Sequence, residues 1–166
     1  DKAVRQLHPW VFSGAIKMKT GDVENGELVE VLNVDGDMLA LGVYNNKSRV
    51  AVRLLEWGTD NTIDEQWWRG KVRAAIENRK HLLTENNNTL RLIFAEADFL
   101  PGLIADKYAD FISIQVHSAA LEQVKDILID EMVQCLQPKG VYERSDLRSR
   151  EFEGLPDANG LVYGSM

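Results

Sequence analysis

The sequence predicts an α+β fold in two parts: a small closed β-barrel, then a compact unit of strands around one main helix. Three observations predict it. Short strands and tight turns fill residues 1–58, with no stretch long or periodic enough for a substantial helix. A capping box at Thr62 opens a helical stripe that runs to about residue 84. Residues 89–166 then order themselves as strands, one helix, and strands again, the pattern of a self-contained α+β unit. The expected division is residues 1–66 and 67–166, joined by the helix at about 62–84.

In the first part, the strand-like segments 27–33 and 38–44 flank Asp35-Gly36, a strong short hairpin signal. Gly21-Asp22 and Asn25-Gly26 mark earlier turns, and the alternation in 49–55 predicts a further strand. Two places could carry chemistry: His8-Pro-Trp-Val-Phe-Ser-Gly-Ala-Ile16, with Lys17 and Lys19 behind it, and the polar loop Tyr44-Asn-Asn-Lys-Ser-Arg49. Cations beside an aromatic are what an RNA-reading surface needs, charge for phosphates and a flat ring for bases. The plainer reading makes Trp10 and Phe12 core residues of an edge strand, His8 a turn residue before proline, and Lys47 and Arg49 solvated loop charges.

Thr62 with Glu65 three residues on predicts the helix start, and Asn86-Asn-Asn88 its end. Trp68, Val72, Ala75, Ile76 and Leu83 fall near one face, and Trp67-Trp68 should dock the helix on the barrel. Arg69, Arg73, Arg79 and Lys80 lie elsewhere and read as a solvated basic side before they read as an RNA contact.

The second part opens with strands at 89–95, 103–108 and 111–117. Pro101-Gly102 separates the first two with the chemistry of a type II turn, which needs positive φ only at the glycine. Ser118 is the expected N-cap of the main helix, whose stripe is Leu121, Val124, Leu128, Met132 and Cys135, and Pro138 and Gly140 close it. Strand-like residues 141–143 and 160–163 follow, separated by a densely charged stretch. There Arg144, Arg148 and Arg150 read either as a salt-bridged hinge or as an RNA-facing patch.

Composition bounds the function. At 45% hydrophobic the 166 residues can bury a real core. A net charge of −7 argues against a chain whose whole surface grips phosphate. Charge is uneven: residues 1–55 hold seven Lys/Arg and seven Asp/Glu, whereas 84–143 hold four and ten, so any nucleic-acid contact should favour the first part. No apolar run approaches the roughly 18 residues of a membrane span, no signal peptide is visible, and the lone Cys135 fits a reducing compartment, so the expected location is cytoplasmic with no membrane partner. Cys135 has no base beside it and reads as a buried structural thiol. His8, His81 and His117 lack metal-ligand spacing, and no glycine-rich phosphate loop occurs. Glu96, Asp98 and Asp106 could form a carboxylate group for acid–base work, as in a hydrolase, although Asp98 beside a turn more often caps backbone N–H groups.

Four motifs in order carry a family resemblance. They are the His8–Ile16 stretch; Gly42-Val-Tyr-Asn45 leading to Ser48 and Arg53; Glu96-Ala-Asp98 with Leu100-Pro-Gly-Leu-Ile-Ala-Asp-Lys-Tyr108; and Val141-Tyr-Glu-Arg-Ser-Asp146 with Glu153-Gly-Leu155. Together the sequence resembles the bacterial S-adenosylmethionine-dependent methyltransferases that modify cytosine C5 of large-subunit ribosomal RNA. The resemblance implies an N-terminal PUA domain and a central α+β domain here. The family's Rossmann-like methyltransferase domain, with its cofactor glycines and catalytic cysteines, has no counterpart in this sequence, and Asp1 and Met166 read as the bounds of a piece of a longer protein. The expectation is therefore an RNA-recognising piece, inactive alone, whose partners are ribosomal RNA and its own C-terminal methyltransferase domain. No catalytic or metal residue is implied, and S-adenosylmethionine belongs to the full-length protein. Implied RNA-binding residues are His8, Trp10, Lys17, Lys47, Arg49 and Arg148. The rival reading is a stand-alone RNA-binding adaptor without enzymatic activity.

Overall fold

A computed structural model describes residues 2–58, 61–146 and 148–165. The first part begins with the short helix α1 (Lys2–Arg5) and strand β1 (Trp10–Phe12), followed by β2 (Leu28–Leu32), β3 (Met38–Tyr44) and β4 (Val50–Trp57). These strands form one antiparallel sheet in the order β1-β4-β3-β2. The expected closed barrel is, among the described residues, an open sheet with β1 and β2 at its edges. Four strands, one of them three residues long, are too few to bring those edges together. Irregularities in each pairing, at Phe12, Leu32 and Gly42, bend the sheet instead. Gly42 also sets how closely β3 and β4 approach, because a Cβ there would lie 2.6 Å from the Arg53 carbonyl oxygen.

Helix α2 (Glu65–Lys80) leads out of this sheet. Its cap is Asp64, whose side chain accepts the Trp67 N–H at 2.8 Å, and not the predicted Thr62. The helix also stops at Lys80, short of the predicted asparagine run, with the Leu82 and Leu83 amides bonded to Arg79 and Lys80 in tight turns. Its apolar stripe is as read for Trp68, Val72, Ala75 and Ile76, which are buried, whereas Leu83 lies beyond the helix end and is only partly covered. Covering a side chain the size of Val72 or Ile76 contributes about 2 kcal/mol. Trp67 docks the helix on the first sheet, its indole N–H donating to Glu56 of β4 at 3.0 Å. Arg69 and Arg73 are not a free basic face, although Arg73 is exposed. Both pair with Glu131 on α4 (Lys125–Leu136), and Arg69 also with Asp130.

The second sheet runs β5 (Thr89–Phe94), β6 (Leu103–Tyr108), β7 (Phe111–Val116), β8 (Gly140–Ser145) and β9 (Ala158–Gly164) in chain order. All neighbours are antiparallel except β7 and β8. A parallel step cannot be closed by a tight turn, and the predicted helix supplies the crossover. It is not continuous: α3 (Ala119–Gln123) and α4 are separated at Val124, which leaves helical geometry at φ −111°. At that break Lys125 bridges Glu122 and Glu143. The charged stretch after β8 holds a short helix the sequence reading missed, α5 (Arg148–Glu153).

Helices α2 and α4 cover one face of the second sheet. The resulting core contains Trp68, Ile76, Leu92, Leu103, Ile114, Leu128 and Met132, and it also takes in Val43 and Leu55 from the first sheet. A smaller core on the other side of the first sheet gathers Val4, Ala40, Val52 and Leu54.

Candidate nucleic-acid interface

Strand parity decides which residues of β1 reach solvent. Val11 packs against the small core, so Trp10 and Phe12 face the other way. The expectation that both are core residues therefore fails for Phe12, which is 48% exposed. His8, Trp10 and Phe12 instead make a row of rings meeting edge to face, with centroids 5.9 and 6.3 Å apart. His8 is exposed, and its Nδ1 accepts the Trp10 amide at 3.2 Å, so it serves as the turn residue expected of it.

Of the candidate cations, only Arg49 is placed beside this row. Arg49 borders a shallow depression shared with Phe12, Ser13 and Gly14, and its carbonyl accepts the Ser13 amide at 3.1 Å. The stem of Lys47 lies over Gly154, beyond α5, where a Cβ would come within 2.4 Å of it. Lys17 and Arg148 are exposed and have no ion-pair partner among the described residues. The structure thus joins Arg49 to the aromatic row and Lys47 to the end of α5, while Lys17 stands apart. Of the arginine cluster, Arg144 and Arg148 face solvent. Arg150 is internal, bonded to the carbonyls of Val116 and Pro156 and to Glu122 at 3.0 Å.

Beneath this surface lies a polar network that sequence reasoning did not find. The Trp10 indole donates to Glu96 at 2.9 Å, joining β1 to the turn after β5. Directly opposite Trp10 in the ladder, Arg53 bonds Glu153 at 2.7 Å, stands 3.8 Å from Glu96, and lies 5.9 Å from the Trp10 ring. Asn45, also buried, donates to the Glu153 carboxylate and carbonyl. Two strands of the first sheet, the loop after β3, the turn after β5 and the end of α5 meet on these side chains. The available signal was that Trp10, Asn45, Arg53, Glu96 and Glu153 are all motif residues, polar or aromatic and widely separated in sequence.

The three candidate carboxylates do not converge. Asp106 is held by Arg91 through two bonds of 2.8 and 3.0 Å, and Asp98 pairs with Arg79 at 2.7 Å while accepting the Phe94 amide. Glu96 serves the network above. Each is committed to a different structural partner, and Asp98 caps backbone as the plainer reading had it. Pro101-Gly102 turns as predicted, with Gly102 at φ +96° and Ser118 bonded to the Pro101 carbonyl. Cys135 sits against Glu131 on the same helix, and burial and that carboxylate push its thiol up, away from nucleophilic use. His117 is half-buried near Arg150, and its removal from water followed by that cation's field holds it below the usual histidine value. No group of three metal-ligating side chains occurs among the described residues, and no helix there is long and apolar enough to cross a membrane.

A four-stranded sheet with aromatic and basic residues at one edge, coupled to an α+β unit, defines the class. Residues 1–57 match the family model described as a PUA-like domain. Over 99% of its length the chain is homologous to proteins named ribosomal RNA large subunit methyltransferase I. It is 37% identical over 165 residues to that of Aliivibrio fischeri strain MJ11 and 33% over 167 residues to that of Yersinia pestis bv. Antiqua. It spans 42% of the length of each of these relatives. Among solved structures, a putative SAM-dependent methyltransferase from Streptococcus mutans superposes with TM-score 0.78 at 14% identity, covering 99% of this chain and 41% of that one. A putative methyltransferase complexed with SAH gives 0.79 at the same identity, over 99% and 40%. At that identity the likeness concerns the fold.

Proposed function

We propose that this chain is the RNA-positioning part of an S-adenosylmethionine-dependent methyltransferase acting on cytosine C5 of large-subunit ribosomal RNA in the cytoplasm. The observation that carries the reading is the near-complete coverage of this chain by relatives named for that class of substrate, with a PUA-like match over residues 1–57. Residues 1–66 form the RNA-binding unit in this reading and 67–166 the central unit. The geometry supports part of the RNA contact. His8, Trp10 and Phe12 offer ring edges and faces with Arg49 beside Phe12, while Lys47, Lys17 and Arg148 are further exposed cations free of acidic partners among the described residues.

The methyl donor belongs elsewhere in the longer protein. A cleft of about 260 Å³ between the sheets has walls of Leu7, Pro9, Leu54, Trp57, Phe99 and Pro101 and a single carboxylate, Glu96. It lacks a second polar group to hold both the ribose and the amino-acid end of S-adenosylmethionine, so these residues do not fit that cofactor.

Charge reversal tests the reading. Lys47→Glu with Arg49→Glu in the full-length protein should weaken binding to a large-subunit ribosomal RNA segment and flatten its salt dependence by about two phosphate contacts. Unchanged affinity and salt slope would overturn this assignment of the surface.

A further inference from the structure

We propose that the open face of the second sheet is a further RNA-binding surface, on which the bases of an unpaired stretch of RNA stack. Helices α2 and α4 lie on one face only. Residues paired across a ladder share a face, so Phe94 with Ile104, Tyr108 with Phe111, and Tyr142 with Leu161 all point to the other. The same parity follows from Ser113 opposite Tyr142 in the parallel step. Phe94, Tyr108, Phe111 and Tyr142 are 50, 52, 37 and 39% exposed there, and no element packs over them among the described residues. They come from four successive strands spaced about 4.8 Å apart, so their rings spread over a span that several nucleotides would cover.

Charge favours RNA, because Arg91 and Asp106 cancel and Arg144 leaves the face net positive. The chain carries −7, yet the only carboxylate that the ladder puts on this face is Asp106, and Arg91 holds it with two bonds. Arg91 also lies 5.1 Å over the Phe94 ring, and Arg144, on the same face, has no acidic partner among the described residues. Rings, guanidinium groups and no free carboxylate are the requirements for stacking bases along a backbone of phosphates. Ser113 and Gln115 stand beside the rings with hydrogen-bonding groups for base edges. Only the kind of ligand rests on the reading above; the location is independent of it.

The test uses the full-length protein with Tyr108→Ala and Phe111→Ala together, both side chains lying outside the core. Fluorescence anisotropy is read with a single-stranded oligouridine and with a ribosomal RNA hairpin, and melting temperature monitors folding. Loss of two stacking rings should raise the Kd for the single strand at least about tenfold, with hairpin binding largely retained. Tyr108→Phe with Phe111→Ala, which returns a ring at position 108, should recover much of it. Single-strand affinity unchanged by the double substitution overturns the proposal. So does a fall in melting temperature or in solution mass with RNA affinity intact, because the face then serves another part of the protein or a second copy. If Lys47→Glu with Arg49→Glu abolishes binding while the aromatic variant changes nothing, the first surface stands and this one falls. The converse result removes the first and keeps this one.

Discussion

Arg53→Met should separate the two sheets energetically. Arg53 is 15% exposed and bridges Glu153, whose side chain is 3% exposed, to Glu96. After truncation the buried Glu153 carboxylate keeps only the Asn45 amide at 3.0 Å and the Ala119 N–H at 3.5 Å. Removing one member of a buried ion pair costs about 3–5 kcal/mol. Two effects reduce it: those surviving bonds, and the loss of an Arg53 Nε–H that is itself buried without an acceptor. The net expectation is about 2–3 kcal/mol, or roughly 4–12 °C in melting temperature for a chain of this size. Urea unfolding read by tryptophan fluorescence is the assay, since Trp10 lies in the same network. Neutralising the acid as well, in Arg53→Met with Glu153→Gln, should recover at least about 1 kcal/mol relative to the summed single effects. An unchanged urea midpoint in the single variant, or strict additivity in the double, refutes the claim that this pair couples the sheets.

Two further outcomes follow from the geometry. Gly42→Ala should destabilise by about 1–3 kcal/mol, because its Cβ meets the Arg53 backbone and neither strand can yield without breaking the ladder. A gain in urea midpoint, as glycine replacement gives at permissive sites, would show that β4 is not held that close. His117 gives a pH signature. Its folded value is lowered by burial and then by Arg150, with an opposing pull from Glu96 and a lesser push from Arg53, so the unfolded chain binds the proton more readily. Its contribution is fully present above about pH 6.5 and is lost as pH falls below that value toward the folded one. Melting temperature between pH 7 and 5 should drop less steeply in His117→Gln than in the parent, and identical slopes would count against this origin.

Much of the fold was legible because its signals are local. The Asp35-Gly36 hairpin, the Pro101-Gly102 turn and the apolar stripes of α2 and α4 each depend on residues close in sequence. The failures were long-range or a matter of parity. Trp10 and Phe12 alternate as core residues would, but the same alternation fits the opposite face, and only the pairing of Val11 with Val52 decides. The capping box at Thr62 was a sound pattern overridden two residues on by Asp64. Helix α5 is short and charged, and its place depends on Arg150 reaching Val116 and Glu122 across the fold. For the candidate site, the exposure of Lys17, Lys47, Arg49 and Arg148 is what their charge suggests, whereas the ring of Phe12 was read as core and lies at the surface. The sequence could not show that the motif residues Asn45, Arg53, Glu96 and Glu153 converge beneath them, since 100 positions separate Arg53 from Glu153.

The largest apolar cluster disregards the division between the two sheets. Val43 and Leu55 lie in the same oil as Ile76, Leu103 and Met132, and Trp68 is dissolved in it with them. A recombination event that moved residues 1–57 to another host would carry off part of the solvent the second sheet needs, and would bare a greasy side of its own. The PUA-like segment here is thus grafted to its neighbour rather than tethered to it, and the two should melt as one cooperative body.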